Sequence, residues 1–199
     1  MLSFLGLSAG AIVGIVIGSV AFILIIGIIM FFWAGYNGLV RKKNECEEGF
    51  ATMDVYLQKR YDLIPNLVAT VKGFAKHESE TLEKVIQARN MAMQAKPGSA
   101  EQADAENVLN GTLKSLFALT ENYPTLQANT NFMDLQSQLK VIEQDIASSR
   151  RYYNAVVKEY NNKIQMFPTN LLARLFRFEK KAMFEIEEKE QRKNPKVEF

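Results

Sequence analysis

The chain has 199 residues, 24 basic and 22 acidic, with one histidine and one cysteine. Its formal net charge of +2 calls for no nucleic-acid partner. A single thiol excludes an intrachain disulfide framework and any cysteine-rich metal site.

No charged side chain occurs in residues 1–40, and Arg41-Lys42-Lys43 follow at once. Ala9 to Ala34 is apolar nearly throughout, and as a helix it would span about 39 Å at ~1.5 Å per residue. That exceeds a hydrocarbon core of about 30 Å, so residues 9–34 are expected to form a single transmembrane helix. A cleaved signal peptide fits less well, because the start carries no basic residue and the apolar run is too long. Lys and Arg flanks stay on the cytoplasmic side, so Arg41, Lys42 and Lys43 orient the helix. Residues 1–8 are then a short extracytoplasmic N-terminus, and the rest of the chain is cytoplasmic. Trp33 and Tyr36 stand where an aromatic belt would form. Gly6, Gly10, Gly14 and Gly18 recur every four residues on one helix face. Such a face lets two helices approach closely in lipid, so Gly10, Gly14 and Gly18 are candidates for self-association.

The following 159 residues suffice for one domain and read as helix almost throughout. A first helix covers about Arg41 to Tyr61, with Cys46, Phe50, Met53 and Leu57 as its stripe. A second starts near Pro65, a residue tolerated in a first turn, and carries Leu67, Val71, Phe74, Leu82, Val85 and Ala88 to about Ala95. Lys96-Pro97-Gly98-Ser99 breaks the chain. A third spans about Ala100 to Asn122, with Ala105, Val108, Leu109, Leu113, Leu116 and Leu119 turned inward. The fourth, about Asn129 to Phe167, has a heptad seam of Phe132, Leu135, Leu139, Ile142, Ile146, Tyr153, Val156 and Tyr160, with Ser149 in the remaining seam position.

One rhythm crosses a boundary. Phe50, Met53, Leu57, Arg60, Ile64, Leu67, Val71 and Phe74 keep the 3-4 spacing through Pro65. If the chain reverses there, residues 35–167 are an antiparallel up-and-down four-helix bundle. If it only bends, they form a kinked three-helix assembly. Residues 168–190 follow as an amphipathic segment, and 191–199 as a flexible tail. In that segment Leu171, Leu175 and Phe178 alternate with Arg174, Arg177 and Lys181. A basic, aromatic-bearing stretch suits an anionic membrane surface, or else docking on protein.

Arg60-Tyr61-Asp62-Leu63-Ile64-Pro65-Asn66-Leu67-Val68 resembles the signature of the LemA family. Further pieces follow in the family's order. They are Tyr36-Asn37, Ala88-Arg89, Glu121-Asn122-Tyr123-Pro124, Asn131-Phe132, Arg150 with Tyr153-Asn154, Tyr160-Asn161 and Phe167-Pro168. The resemblance covers about residues 36–185. The anchor departs from the pattern in being longer and richer in glycine. The resemblance implies a bacterial inner-membrane anchor and an up-and-down bundle, which favours reversal at Pro65. It supplies no reaction and no catalytic residues.

Reactive constellations are sparse. His77 is followed by Glu78 and Ser79, but the metalloprotease pattern needs a second histidine where Thr81 stands. A carboxylate site of Glu78, Glu80 and Glu83 is the weaker reading beside a solvated helix face. Arg60, Asp62, Arg89, Glu121, Glu143 and Arg150 are candidates for a buried polar network, since buried charges must be paired. Tyr153 and Tyr160 need hydrogen-bond partners, for which polar helix–helix contacts are expected. These features point to a membrane-anchored, self-associating helical scaffold that is no enzyme and holds no cofactor or metal. Its partners are the bilayer, other copies of itself and an unidentified membrane protein. The alternative is a regulatory partner of a membrane protease or sensor system. A carboxylate-metal enzyme ranks last, because such bundles want Glu-x-x-His motifs from two helices.

Overall fold

An uninterrupted apolar stretch feeding into a 3-4 stripe makes one helix of the first third of the chain. In the computed structural model, which describes residues 9–184, helix α1 runs Ala9–Phe74, 66 residues, about 100 Å at ~1.5 Å per residue. The other elements are α2 (Ser79–Gln94), α3 (Ala100–Thr120), α4 (Pro124–Gln127), α5 (Thr130–Gln165) and α6 (Thr169–Leu175). The described residues are thus all-helical. The expectations for residues 1–8, for 191–199 and for the end of the amphipathic segment at 185–190 fall outside them.

The expected break at Pro65 is corrected. The chain neither ends its helix nor reverses there, because Pro65 lies inside α1. A bundle of four helices that counts 41–61 and 65–95 as separate members is therefore not the arrangement, and six helices stand among the described residues. An interior proline costs a helix about 3 kcal/mol, since it removes an N–H and crowds the carbonyl four residues back. Here that carbonyl belongs to Tyr61, and the Arg89 side chain on α2 donates Nε–H to it at 2.6 Å. The unbroken stripe supplies the rest. Met53, Leu57, Arg60, Ile64, Leu67 and Val71 are all buried.

Two compact units emerge among the described residues, one of 9–43 with 160–180, the other of 44–159 with 181–184. In the second unit α2 packs against α3 across the Lys96–Ser99 turn. Gly98 takes φ 71°, a left-handed conformation for which glycine carries no penalty. The Ser99 hydroxyl caps α3 by accepting from Gln102 N–H at 3.2 Å, and Gly98 N–H donates to Gln102 Oε1 at 2.8 Å. Asn129 Oδ1 accepts from Phe132 N–H at 3.0 Å at the start of α5. The α5 seam keeps its register. Phe132, Leu139, Ile146, Ser149, Tyr153, Val156 and Tyr160 are buried, and Leu135 and Ile142 are half-buried.

The α3 stripe differs from expectation. Val108 is 49% exposed, whereas Gln102, Glu106, Leu109, Leu113, Leu116 and Thr120 are buried at spacings of 4, 3, 4, 3 and 4. Within the amphipathic segment helix ends at Leu175, and residues 176–184 are not helical.

Candidate functional site

In the first unit the apolar half of α1 is exposed on every side. Large apolar side chains from Ile12 to Trp33 are 38–67% exposed. This is the one helix among the described residues long and apolar enough to cross a membrane. Gly10 is exposed, and a Cβ placed on Gly14 or Gly18 would meet nothing within 4 Å. Arg41 and Lys43 are exposed and Lys42 is half-buried.

The turns after Ala34 are different. Gly35 packs so closely on Leu172 of α6 that an added Cβ would collide with its Cδ1. The Tyr36 ring meets Phe176 in a tilted pair at 4.7 Å and Phe178 edge-on at 6.0 Å. Leu39, Leu172 and Ala173 are buried. Leu171, Arg174, Leu175 and Arg177 are exposed and Phe178 is half-buried. Tyr160 OH donates to Glu179 O at 2.8 Å.

The second unit contains a polar hub. Arg60, 1% exposed, donates from Nη1 to Asn110 Oδ1 at 2.7 Å and to Glu143 Oε1 at 2.8 Å. Its Nη2 pairs with Glu106 Oε2, and the Tyr61 hydroxyl donates to Glu106 Oε1. Burial pushes the Tyr61 phenol up from its ordinary value, against the pull of Arg60. Of the predicted network, Arg60 and Glu143 meet, and Arg89 joins through the Tyr61 carbonyl. Asp62 and Glu121 do not, because both are exposed. The missed member is Glu106. Stepping the Leu116-Leu113-Leu109 seam back by three reaches Glu106, and by four more Gln102, so the signal was present.

Beside this hub lies a cavity of about 920 Å³, lined by residues including Arg60, Asn110, Lys114, Phe117, Lys140 and Arg150. Its charged floor is the Arg60 group, whose guanidinium is committed to Glu106, Glu143 and Asn110. His77 is exposed, Glu78 accepts from Tyr123 OH at 3.0 Å, and Glu80 pairs with Lys84 at 2.6 Å. That hydrogen bond from Tyr123 raises the phenol's pKa, and Lys84 holds the Glu80 carboxyl below its usual range. Glu78 and Glu80 thus have other partners, and Glu83 is exposed. Among the described residues no three His, Cys, Asp or Glu side chains are grouped to hold a metal.

The tyrosines of the seam have a different role from the expected helix–helix contacts. Tyr153 OH donates to Ala182 O at 3.1 Å. Asn154 brackets Phe184, accepting from its N–H at 2.8 Å and donating to its carbonyl at 3.1 Å. Burial raises the Tyr153 phenol as well, with Cys46 adding to it. Lys181 Nζ reaches Glu47 Oε1 at 3.4 Å. These side chains satisfy the backbone of a non-helical segment that no ladder pairs.

The chain is similar in sequence to known proteins. The chain is 26% identical to Protein LemA of Metamycoplasma hominis over 168 residues, 84% of this chain and 77% of that one. It is 23% identical over 175 residues to Magnetosome protein MamQ 2 of Paramagnetospirillum magneticum, and over 174 to Magnetosome protein MamQ of Magnetospirillum gryphiswaldense. Each match covers 75% of this chain and 64% of the MamQ protein, so the chain spans less than two thirds of those relatives. The LemA family model matches residues 49–199, which include the Arg60 hub, the Pro65 crossing and the Asn154 bracket. The chain therefore belongs to the LemA family.

Proposed function

We propose that this LemA-family chain is a membrane-anchored helical scaffold that self-associates through its span. The observation that carries the reading is the contrast between 26 nearly all-apolar residues, 9–34, and a helix that buries none of their large side chains. Such a surface is stable only in an apolar solvent or against copies of itself. The open ground at Gly14 and Gly18 favours a second helix, since close backbone approach drives association in lipid. The basic cluster Arg41-Lys42-Lys43 supports a cytoplasmic place for the following region in a bacterial cell, with the N-terminus outside. The ionisable groups of the hub are engaged with one another, which supports a binding or structural role over catalysis. Similarity to a LemA protein and to magnetosome proteins fits a shared scaffold more readily than one shared substrate.

The test is the mass of detergent-solubilised protein, for wild type and for Gly10→Leu/Gly14→Leu/Gly18→Leu. Wild type is expected as an oligomer and the triple variant as a monomer. Wild-type monomer at every working concentration overturns the reading.

A further inference from the structure

The first unit holds charge and apolar surface in an unequal way. Among the described residues it contains seven basic residues and one acidic residue, Glu179, so the other 13 basic and 16 acidic ones lie in the second unit. Three of the seven, Arg41, Lys42 and Lys43, follow the span directly. The other four, Lys163, Arg174, Arg177 and Lys180, come from the end of α5 and from α6 with its flank.

Contacts within this unit fix the level of α6 along α1. Leu172 sits on Gly35, the residue next after the apolar run, and Lys163 Nζ covers Gly38, where an added Cβ would lie 2.7 Å away. Tyr36 carries Phe176 and Phe178. α6 is thereby clamped to the turns between Ala34 and Arg41. On a spanning helix those turns are the level of the headgroups, where aromatic and basic side chains gather.

Its outward face is apolar. Phe167 is 78% exposed, Met166 64%, Leu175 63%, Leu171 56% and Phe176 47%. Leu171 and Leu175, four residues apart, share one side of α6, while Leu172 covers α1 and Ala173 is buried. Such a face in water is costly, yet exposed Arg174 and Arg177 stand beside it. Apolar side chains at the level of the acyl boundary with cations beside them are the composition of a segment lying in the membrane surface. Clusters of Lys and Arg next to a span favour anionic lipid.

We propose that the stretch from Met166 to Lys180 is a second membrane contact, lying in the headgroup region of an anionic bilayer with Phe167, Leu171 and Leu175 directed into it. The proposal rests on the anchor reading above. It adds a partner, the anionic lipid surface, for residues which that reading leaves uncovered.

The experiment uses the full chain in vesicles of phosphatidylcholine and phosphatidylglycerol, with and without lipids brominated near the top of the acyl chain. Trp33 is the single tryptophan, so wild-type fluorescence reports the span itself. Leu171→Trp and Leu175→Trp, each in a Trp33→Phe background, report α6. Both positions are exposed, so the larger ring meets no packed neighbour. The expected result is that both variants emit at short wavelength and lose most of their emission to brominated lipid, as Trp33 does. Quenching of Trp33 without quenching at either α6 position overturns this proposal and leaves the anchor standing. A short-wavelength emission at α6 without quenching shows a protein surface covering it, and overturns the proposal too. Failure of Trp33 itself to be quenched removes the anchor and this inference together.

Discussion

Two stretches of the same helix meet opposite surroundings. From Ile12 to Trp33 every large apolar side chain of α1 is exposed, and none is set apart as a stripe. From Cys46 to Val71 the buried positions recur at three and four residues, and Cys46, Met53, Leu57, Ile64 and Val71 are fully buried. Both stretches are rich in apolar residues, but their distribution around the axis differs. A helix that is apolar all round needs an apolar medium, and one that is apolar along a stripe needs protein on that side. The second stretch also places Arg60 on its stripe, and that charge has its partners within the chain.

The sharpest way to break the comparison is to remove the charge from the second stretch. Arg60→Met leaves Glu106 buried without its guanidinium, and stranding one member of such a pair costs about 3–5 kcal/mol. Thermal unfolding of the detergent-solubilised chain is expected to fall by roughly 10 °C, at about 2–4 °C per kcal/mol for a domain of this size. Arg60→Met/Glu106→Leu is expected to recover most of the loss, because replacing both partners by apolar groups is often close to neutral. No recovery would show that Glu143 or Asn110 is the partner that matters.

A smaller effect probes the proline. Arg89→Leu withdraws the donor from the Tyr61 carbonyl, a charged hydrogen bond worth about 1.5–3 kcal/mol. In a Pro65→Ala background residue 65 regains its N–H and can bond that carbonyl itself. The same Arg89→Leu change is then expected to cost less than half as much in urea unfolding. Equal costs in both backgrounds would sever the link between Arg89 and Pro65.

That link also marks where the sequence stopped being readable. The 3-4 rhythm through Pro65 was visible, and so was the rule that proline ends helices. The donor that reconciles them lies 28 residues away on another helix, which local pattern cannot show. The charge-free run at 9–34 and the α5 seam were legible because each repeats one signal many times. Ser149 even kept its seam place, its hydroxyl donating to Asp145 O at 2.9 Å and Ile146 O at 3.1 Å. Glu106 was lost because a charge on a helix reads as solvated, so the α3 stripe took in Val108 instead. Tyr153 and Asn154 serve a segment with no periodicity of its own, and so their partners left no trace. Alternation of apolar and basic residues after Pro168 suggested one long amphipathic element. The helix stops at Leu175, and Arg177 takes φ 55° beyond it.

Alkaline pH gives a finer probe of the second stretch. Burial raises the Tyr61 phenol in the fold above its ordinary value of 10.0. The folded chain therefore holds that proton more tightly than the unfolded one. The resulting stability is fully present below about pH 10 and is lost as pH rises through the folded value. Tyr61→Phe is expected to cost about 1 kcal/mol near neutrality, the worth of the hydroxyl's bond to Glu106. The gap between variant and wild type should close as the pH climbs above 10, followed by denaturant titration at each pH. Tyr153, raised in the same direction, keeps some alkaline slope in both proteins. A gap that stays constant would mean Tyr61 is solvated in the fold.

The most direct comparison of the two stretches sets a large effect against the smallest one expected, at Leu24. Leu57→Ala and Leu24→Ala make the same truncation on the same helix. Leu57 is fully buried, and its loss should cost about 2–5 kcal/mol through lost transfer and an unfilled cavity. Leu24 is 62% exposed and touches no core, so its truncation should move the same unfolding transition by no more than about 0.5 kcal/mol. In detergent the micelle covers Leu24 before and after the domain unfolds, so the lost methyls cancel between the two states. A shift at Leu24 comparable to that at Leu57 would mean that the span unfolds with the domain. The apolar stretch would then be part of the protein core instead of a helix solvated by lipid.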